Sequence, residues 1–538
     1  MLFRSEYISQ TVIAGIQQFE FARYILDTSA SGEDLRLTSL PLEYNMPGGG
    51  TATDLTNCYL FDGSTNLNSS NVKNPTAVAS SSSFVFDGTG LTLTKGTTKT
   101  LSLKCNLKAA ATGGYAWGYN GASSPSPTGL TSGQSVATAD LTENASVGQN
   151  MTAATNGTLS VALNTVASYL IATPGTTVTL SELKYSATLE DVNVKQISLV
   201  MNGAASNTPS NLVNQEVTLW DGATQVGVAS FSSGDHATGT LSGFTVPKDG
   251  SKVLAVKGKI GSIQIGGEME RSGEFPKVDY DGGGSLSSNY GIGASSGQTV
   301  SPGSAATAST GVRVMKSYPS FSLIALNTSS ETTLLAGETQ VLYKFKVTAN
   351  QGDVLLGKFS FRVSSSTLAA TTTNYQIYAY SDAFSSVDSQ INSAGTVNGA
   401  VCPNRGTVEI RPDTGCGTAT SSFKIPSGES RWFKLVGQIS SVAANGTTET
   451  LTIQMEGDAA FPIAHQGLEE DGEMSRYGIN ATIGVESAGH NDFIWSPTST
   501  TSAGSADTAY LSRNDWTNGY GIPGLPGTNM DAVTLSHQ

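Results

Sequence analysis

The side chains with chemical capability are few and grouped. Carboxylates concentrate in two stretches: Glu268, Glu270, Glu274, Asp279 and Asp281 in GEMERSGEFPKVDYDGGG, and Glu469, Glu470, Asp471 and Glu473 in GLEEDGEMSR. Calcium takes about six to eight hard oxygen ligands, and the Asp279-Tyr280-Asp281-Gly282 turn suits it. Asp279, Asp281, Glu469, Glu470 and Asp471 are therefore the candidate calcium ligands. A solvated acidic loop explains the same composition, and a carboxylate pair for sugar hydrolysis is a third reading. The four histidines, His236, His465, His490 and His537, make no H-E-x-x-H pattern. Gly293-Ala-Ser295-Ser-Gly297 satisfies G-x-S-x-G, but that nucleophile motif needs a strand before it and a helix after it. Here it lies in a Ser/Gly-rich stretch and reads as a chance match.

Four cysteines in an exported chain imply two bridges. Cys58 and Cys105 fall on neighbouring apolar segments, and Cys402 and Cys416 flank VCPNRGTVEIRPDTGC. Locality selects Cys58 with Cys105 and Cys402 with Cys416 among three connectivities. Free buried thiols and metal ligation are the alternatives, and the spacing of a zinc site is missing.

These residues must be carried by strands. The 538 residues hold 43 acidic and 29 basic side chains, a formal net charge of −14, with 60 glycines and a charged fraction of only 13%. So acidic a chain repels a phosphate backbone, which excludes general nucleic-acid binding. No apolar run is long enough to span a bilayer as a helix. Solubility rests on Ser, Thr and Asn, between segments of alternating Val, Ile, Leu, Phe and Tyr that point to folded β structure.

One pattern recurs. Apolar strand, Gly turn, second strand, acidic turn and third strand appear around Gly15, Gly175 and Gly337, at intervals of roughly 160 residues. Asp34, Asp191 and Asp353 stand just before the third strand of each. Downstream, KTLSLKCNL (99–107), KVLAVKGKI (252–260) and RWFKLVGQI (431–439) align without gaps, which makes Cys105, Gly258 and Gly437 equivalent. NCYLFDG (57–63), EVTLWDG (216–222) and the looser QIYAYSD (376–382) align as well. The fold class expected is all-β: tandem immunoglobulin-like antiparallel β-sandwiches with a loop-rich C-terminal tail.

The boundaries that follow are 1–150 for repeat 1, 151–311 for repeat 2 with a flexible Ser/Gly linker at its end, 312–490 for repeat 3, and 491–538 for the tail. Phe493, Trp495, Trp516 and Tyr520 predict that the tail packs on the last sandwich or on a neighbour. Only fourteen residues precede Gly15, so the first sandwich is expected to lack its opening strand, leaving an edge for a donated strand. MLFRSEYISQTVIAG carries no signal-peptide core, whereas the composition favours export, so an upstream segment is expected. Sequons at Asn68, Asn144, Asn150, Asn156, Asn327, Asn445 and Asn480 permit glycosylation and follow largely from composition. Leu525-Pro526-Gly527-Thr528-Asn529 is only faintly similar to a sortase signal, with no apolar span or basic tail after it.

ASGEDLRLTSL (30–40), DFIWS (492–496) and DWTNGY (515–520), set among Thr/Ser/Ala-rich sandwiches, resemble large surface proteins of the candidate phyla radiation bacteria, which are surface-layer-like or adhesin-like. The resemblance covers nearly the whole chain and brings no catalytic residue. It implies a non-enzymatic structural protein of the cell surface, extracellular, self-assembling with copies of itself into a layer or similar array, with no required cofactor; the acidic surface itself invites calcium as a cross-link between subunits. An adhesin or filament subunit binding a glycan or protein is the second expectation, and a secreted polysaccharide-active enzyme the third.

Overall fold

The structure, a computed structural model, describes the chain except residues 1, 6–7, 122, 165–170, 202–206, 233, 264–268, 270–271, 283–288, 368, 393–406, 413–421, 445, 460–491, 499–516 and 538, and the side chains of 2–5. Nearly every described element is a strand, and most pairings are antiparallel. The protein is all-β, built of immunoglobulin-like sandwiches in tandem.

The same strand order appears three times. In the first sandwich one layer runs Leu2–Ser5, Phe19–Asp27, Thr98–Leu107, Leu55–Asp62 and Thr65–Asn66. Its counterparts are Thr158–Leu163, Thr177–Thr188, Gly250–Ile260, Leu212–Asp221 and Thr224–Ser230 in the second. In the third they are Tyr318–Leu323, Thr339–Asn350, Ser430–Ser441, Thr371–Tyr380 and Val387–Gln390. Alternation decides which face is buried: Leu101, Leu103, Cys105 and Leu107 point inward while Lys99, Ser102 and Lys104 stay at least partly open to solvent. The facing layers are led by Leu35–Leu37 with Ser39–Asn45, by Val192–Val200 and by Val354–Ser365.

Between the layers lie three clusters of buried apolar side chains, drawn from residues 12–151, 159–314 and 315–535. Trp117 packs against Tyr44 and Phe84 in the first, and Tyr185 meets Phe244 in the second. Phe345, Phe359, Phe433 and Phe493 stack and tilt together in the third.

Two expectations about the chain's organisation change, and the packing of the tail takes the form expected. The first sandwich has its opening strand: Leu2–Ser5 pairs antiparallel with Phe19–Asp27, just as Thr158–Leu163 and Tyr318–Leu323 pair with their neighbours. Fourteen residues suffice because this strand needs only four of them and Gln10–Ile13 then crosses to the other layer. The Ser/Gly stretch ending the second repeat is no free linker. Tyr290–Gly293 pairs with Val192–Val200 and forms a hairpin with Thr299–Val300, and the Tyr280 hydroxyl donates to the Gly303 carbonyl. The described parts of the tail are built into the last sandwich: Ile494–Ser496 pairs with Val354–Ser365, and Val533–His537 pairs with Glu449–Met455.

A parallel pairing also recurs. Gln10–Ile13 runs parallel to Met151–Ala154, and Ile171–Ala172 runs parallel to Arg313–Val314. Thr333 forms a parallel bridge with Ser536. In each case the segment just before the repeated glycine lies against the last strand of its sandwich.

Candidate functional site

The repeated acidic turn is a structural clasp. Asp34 Oδ1 accepts from the Lys95 amide at 2.9 Å, Asp191 Oδ1 from the Lys248 amide at 2.6 Å, and Asp353 Oδ1 from the Ser427 amide at 2.9 Å. Each carboxylate ties the start of one layer to the turn that opens the long strand of the other, satisfying a turn N–H that no ladder reaches. The Lys424 ammonium beside Asp353, at 2.5 Å, together with the Ser427 amide holds its carboxyl below the usual range, against the upward push of burial.

A second clasp sits one residue upstream. Glu33 Oε2 accepts from the Thr131 and Ser132 amides at 2.7 and 2.9 Å. Glu190 Oε2 accepts from the Ser295 and Ser296 amides at 2.8 Å each, and its Oε1 from the Ser296 hydroxyl and the Gly157 amide at 2.7 and 2.8 Å. Ser132 donors, then Thr131, hold the Glu33 carboxyl low. Burial pushes the Glu190 carboxyl up, but the Gly157, Ser296 and Ser295 donors outweigh it and the net direction is down. The two clasped turns are one motif: GLTSGQ (129–134) and GASSGQ (293–298) share the bonds from the first glycine amide to the Gln carbonyl and from the second glycine amide to the first glycine's carbonyl. The G-x-S-x-G match is thus a hairpin turn pinned by Glu190. Its recurrence was legible only with the two hexapeptides set side by side, since each is diluted in Ser and Gly.

Among the candidate calcium ligands, Asp279 and Asp281 are both buried and turned toward protein donors. Asp279 Oδ1 accepts from the Ser309 amide at 2.5 Å and the Thr307 hydroxyl at 3.1 Å, and Asp281 Oδ2 lies 2.9 Å from His236 Nδ1. The described residues contain no group of three His, Cys, Asp or Glu side chains arranged to hold a metal ion. Glu469, Glu470 and Asp471 lie outside the described residues, as do His465 and His490.

Cys58 and Cys105 are joined in a disulfide across adjacent strands, both sulfurs in the core. Cys402 and Cys416 lie outside the described residues. The glycines equivalent to Cys105 show why the bridge is local to the first sandwich. A Cβ at Gly258 would stand 2.7 Å from Leu180 Cδ1, and one at Gly437 would stand 2.7 Å from Leu342 Cδ1. There, leucine fills the space that sulfur occupies in the first.

An open depression of about 620 Å3 surrounds the Glu33 clasp, lined by Ser31, Glu33, Asp34, Lys95, Thr131 and Ser132 among others. One oxygen of each acidic group there, Glu33 Oε2 and Asp34 Oδ1, is bonded to backbone amides, and hydroxyls and a lysine line the same depression. No described helix is long and apolar enough to cross a membrane.

No protein-family model matches the sequence, and no curated protein matches it. Solved structures with some likeness include domains of bacterial proteins. The C-terminal domain of the Streptococcus agalactiae antigen I/II polypeptide BspA is 12% identical over 56% of this chain and 95% of its own, with a TM-score of 0.15. A putative membrane anchored protein from Corynebacterium diphtheriae is 9% identical, covering 84% of this chain and 86% of its own, TM-score 0.18. The major pilin subunit BcpA of Bacillus cereus is 9% identical, covering 76% and 84%, TM-score 0.18. At such scores these likenesses carry no argument about this chain's partners or activity.

Proposed function

We propose that the chain is a non-enzymatic structural protein of the bacterial cell surface that assembles with copies of itself into a surface layer or similar extracellular array. The observation that carries this reading is the threefold recurrence of one sandwich frame with its acidic clasps spent on internal fixation. In this reading the chain divides into three units, joined by residues 155–157 and 315–317. Both junctions are tied down: the Gly157 amide donates to Glu190, the Lys316 amide to Ser272 Oγ at 2.9 Å, and Ser317 Oγ to the Asp353 and Pro497 carbonyls at 2.7 and 2.8 Å. Short pinned connections suit a part whose job is cohesion rather than domain movement.

The contact for assembly is the Ala79–Val85 strand of the first unit. Among the described strands it pairs with Ser39–Asn45 alone, whereas the corresponding His236–Leu241 strand of the second unit is covered on its other side by Thr224–Ser230. Its run of serines places neither charge nor proline on that edge, so strand addition from another copy is unopposed. Electron microscopy of the purified full chain at rising concentration tests the reading. Ordered sheets or fibres are expected; particles that stay dispersed, with a polysaccharide being hydrolysed, contradict it. The second reading, an adhesin, is favoured by the hydroxyl-lined depression at Glu33, where a glycan finds donors and acceptors without competing with the core.

A further inference from the structure

We infer that each sandwich is a mechanical clamp, closed so that tension along the chain loads together the hydrogen bonds between its last strand and the segment just before its repeated glycine. This holds wherever the protein resides and so stands apart from the proposed function. The parallel pairings are its basis. Met151, Thr152, Ala153 and Ala154 face Gln10, Thr11, Val12 and Ile13 in parallel register, and the Ala14 amide donates to the Ala154 carbonyl at 2.7 Å. In the second unit the Met315 amide donates to the Ala172 carbonyl at 2.8 Å, and in the third the Leu334 amide donates to the Ser536 carbonyl at 2.8 Å.

Direction decides the outcome. In a parallel pair the amino end of the earlier segment and the carboxyl end of the last strand lie at opposite ends of the contact. Tension enters at the former and leaves at the latter, so it slides one strand along the other and every bond resists at once. Had the two been antiparallel, both pulling points would lie at one end and the bonds would break in sequence. The upstream strands act in the same sense: Thr158–Leu163 is held by a six-residue antiparallel register to Thr177–Thr188 and is also drawn along its own axis. The junctions described above pass load from one clamp to the next without a slack segment between the last strand of one unit and the first of the following one. The clasp from Glu190 to Gly157 adds a bond at the point where load enters the second unit.

The test uses the full chain with thiol handles on exposed residues that flank the first clamp. Ile8→Cys with Thr155→Cys pulls from opposite ends of the pair; Ile8→Cys with Val147→Cys pulls both strands from their amino ends. All three positions are exposed, so the core is untouched. At one pulling speed, where rupture reports the unfolding rate, the first pair is expected to need about twofold more force or greater. Equal forces in the two geometries, or a weaker first pair, would overturn the clamp.

Discussion

Glu449 is fully buried in the third sandwich, yet four donors converge on it. Its Oε1 accepts from the Ser365 and Thr367 hydroxyls at 2.7 and 2.5 Å and from the Ala370 amide at 2.7 Å, and its Oε2 accepts from the Ala443 amide at 2.7 Å. Burial pushes the carboxyl up, but these donors outweigh it and bring it down to about 2. A carboxyl depressed on folding stabilises the fold above its unfolded value near 4.5, and that stability is lost as pH falls toward about 2. The shift corresponds to about 3 kcal/mol. Glu449→Gln is therefore expected to lie about 3 kcal/mol below the parent in denaturant unfolding above pH 5, with the gap narrowing on acidification. A gap that stays constant with pH would contradict this. Asp458, which burial pushes well up, acts in the opposite sense and cancels in the comparison. None of these roles was legible in advance. The sequence marked Asp34, Asp191 and Asp353 as recurrent, but their use as turn acceptors depends on which loop the opposite layer presents.

At the scale of elements, the strands were the most legible feature, because alternation over Thr98–Leu107, Gly250–Ile260 and Ser430–Ser441 fixes one buried face and aligns the three without gaps. The four-residue Leu2–Ser5 strand was invisible for the opposite reason: so short a run carries no periodicity, and only its pairing with Phe19–Asp27 defines it. The Cys58–Cys105 bridge was readable from locality, and its consequence is confined to one sandwich. It closes a 47-residue separation between neighbouring strands. Chain entropy assigns such a loop up to about 4 kcal/mol. Replacing both cysteines by serine is expected to lower the melting of one transition in a calorimetric scan and leave the others in place. A uniform shift of all transitions would mean that the sandwiches do not stabilise independently.

At the scale of the whole molecule, the threefold frame was readable from the spacing of Gly15, Gly175 and Gly337, but the last repeat was cut short. Ile494–Ser496 pairs with Leu355, Leu356 and Lys358 as Tyr290–Gly293 pairs with the corresponding strand of the second unit. The tail is the end of the third repeat, separated from it in sequence by a charged and then a Ser/Thr-rich stretch that hid the continuity. Three closed sandwiches in series is the claim on which the proposed function and the clamp both draw. The most direct measurement is extension of single molecules held by their two ends, with and without reductant. Three separate ruptures are expected, and reduction should lengthen the gain from the first unit by the 47 residues that its Cys58–Cys105 bridge spans, about 16 nm. A single rupture that opens the whole chain, or three gains that ignore the reductant, would contradict the account.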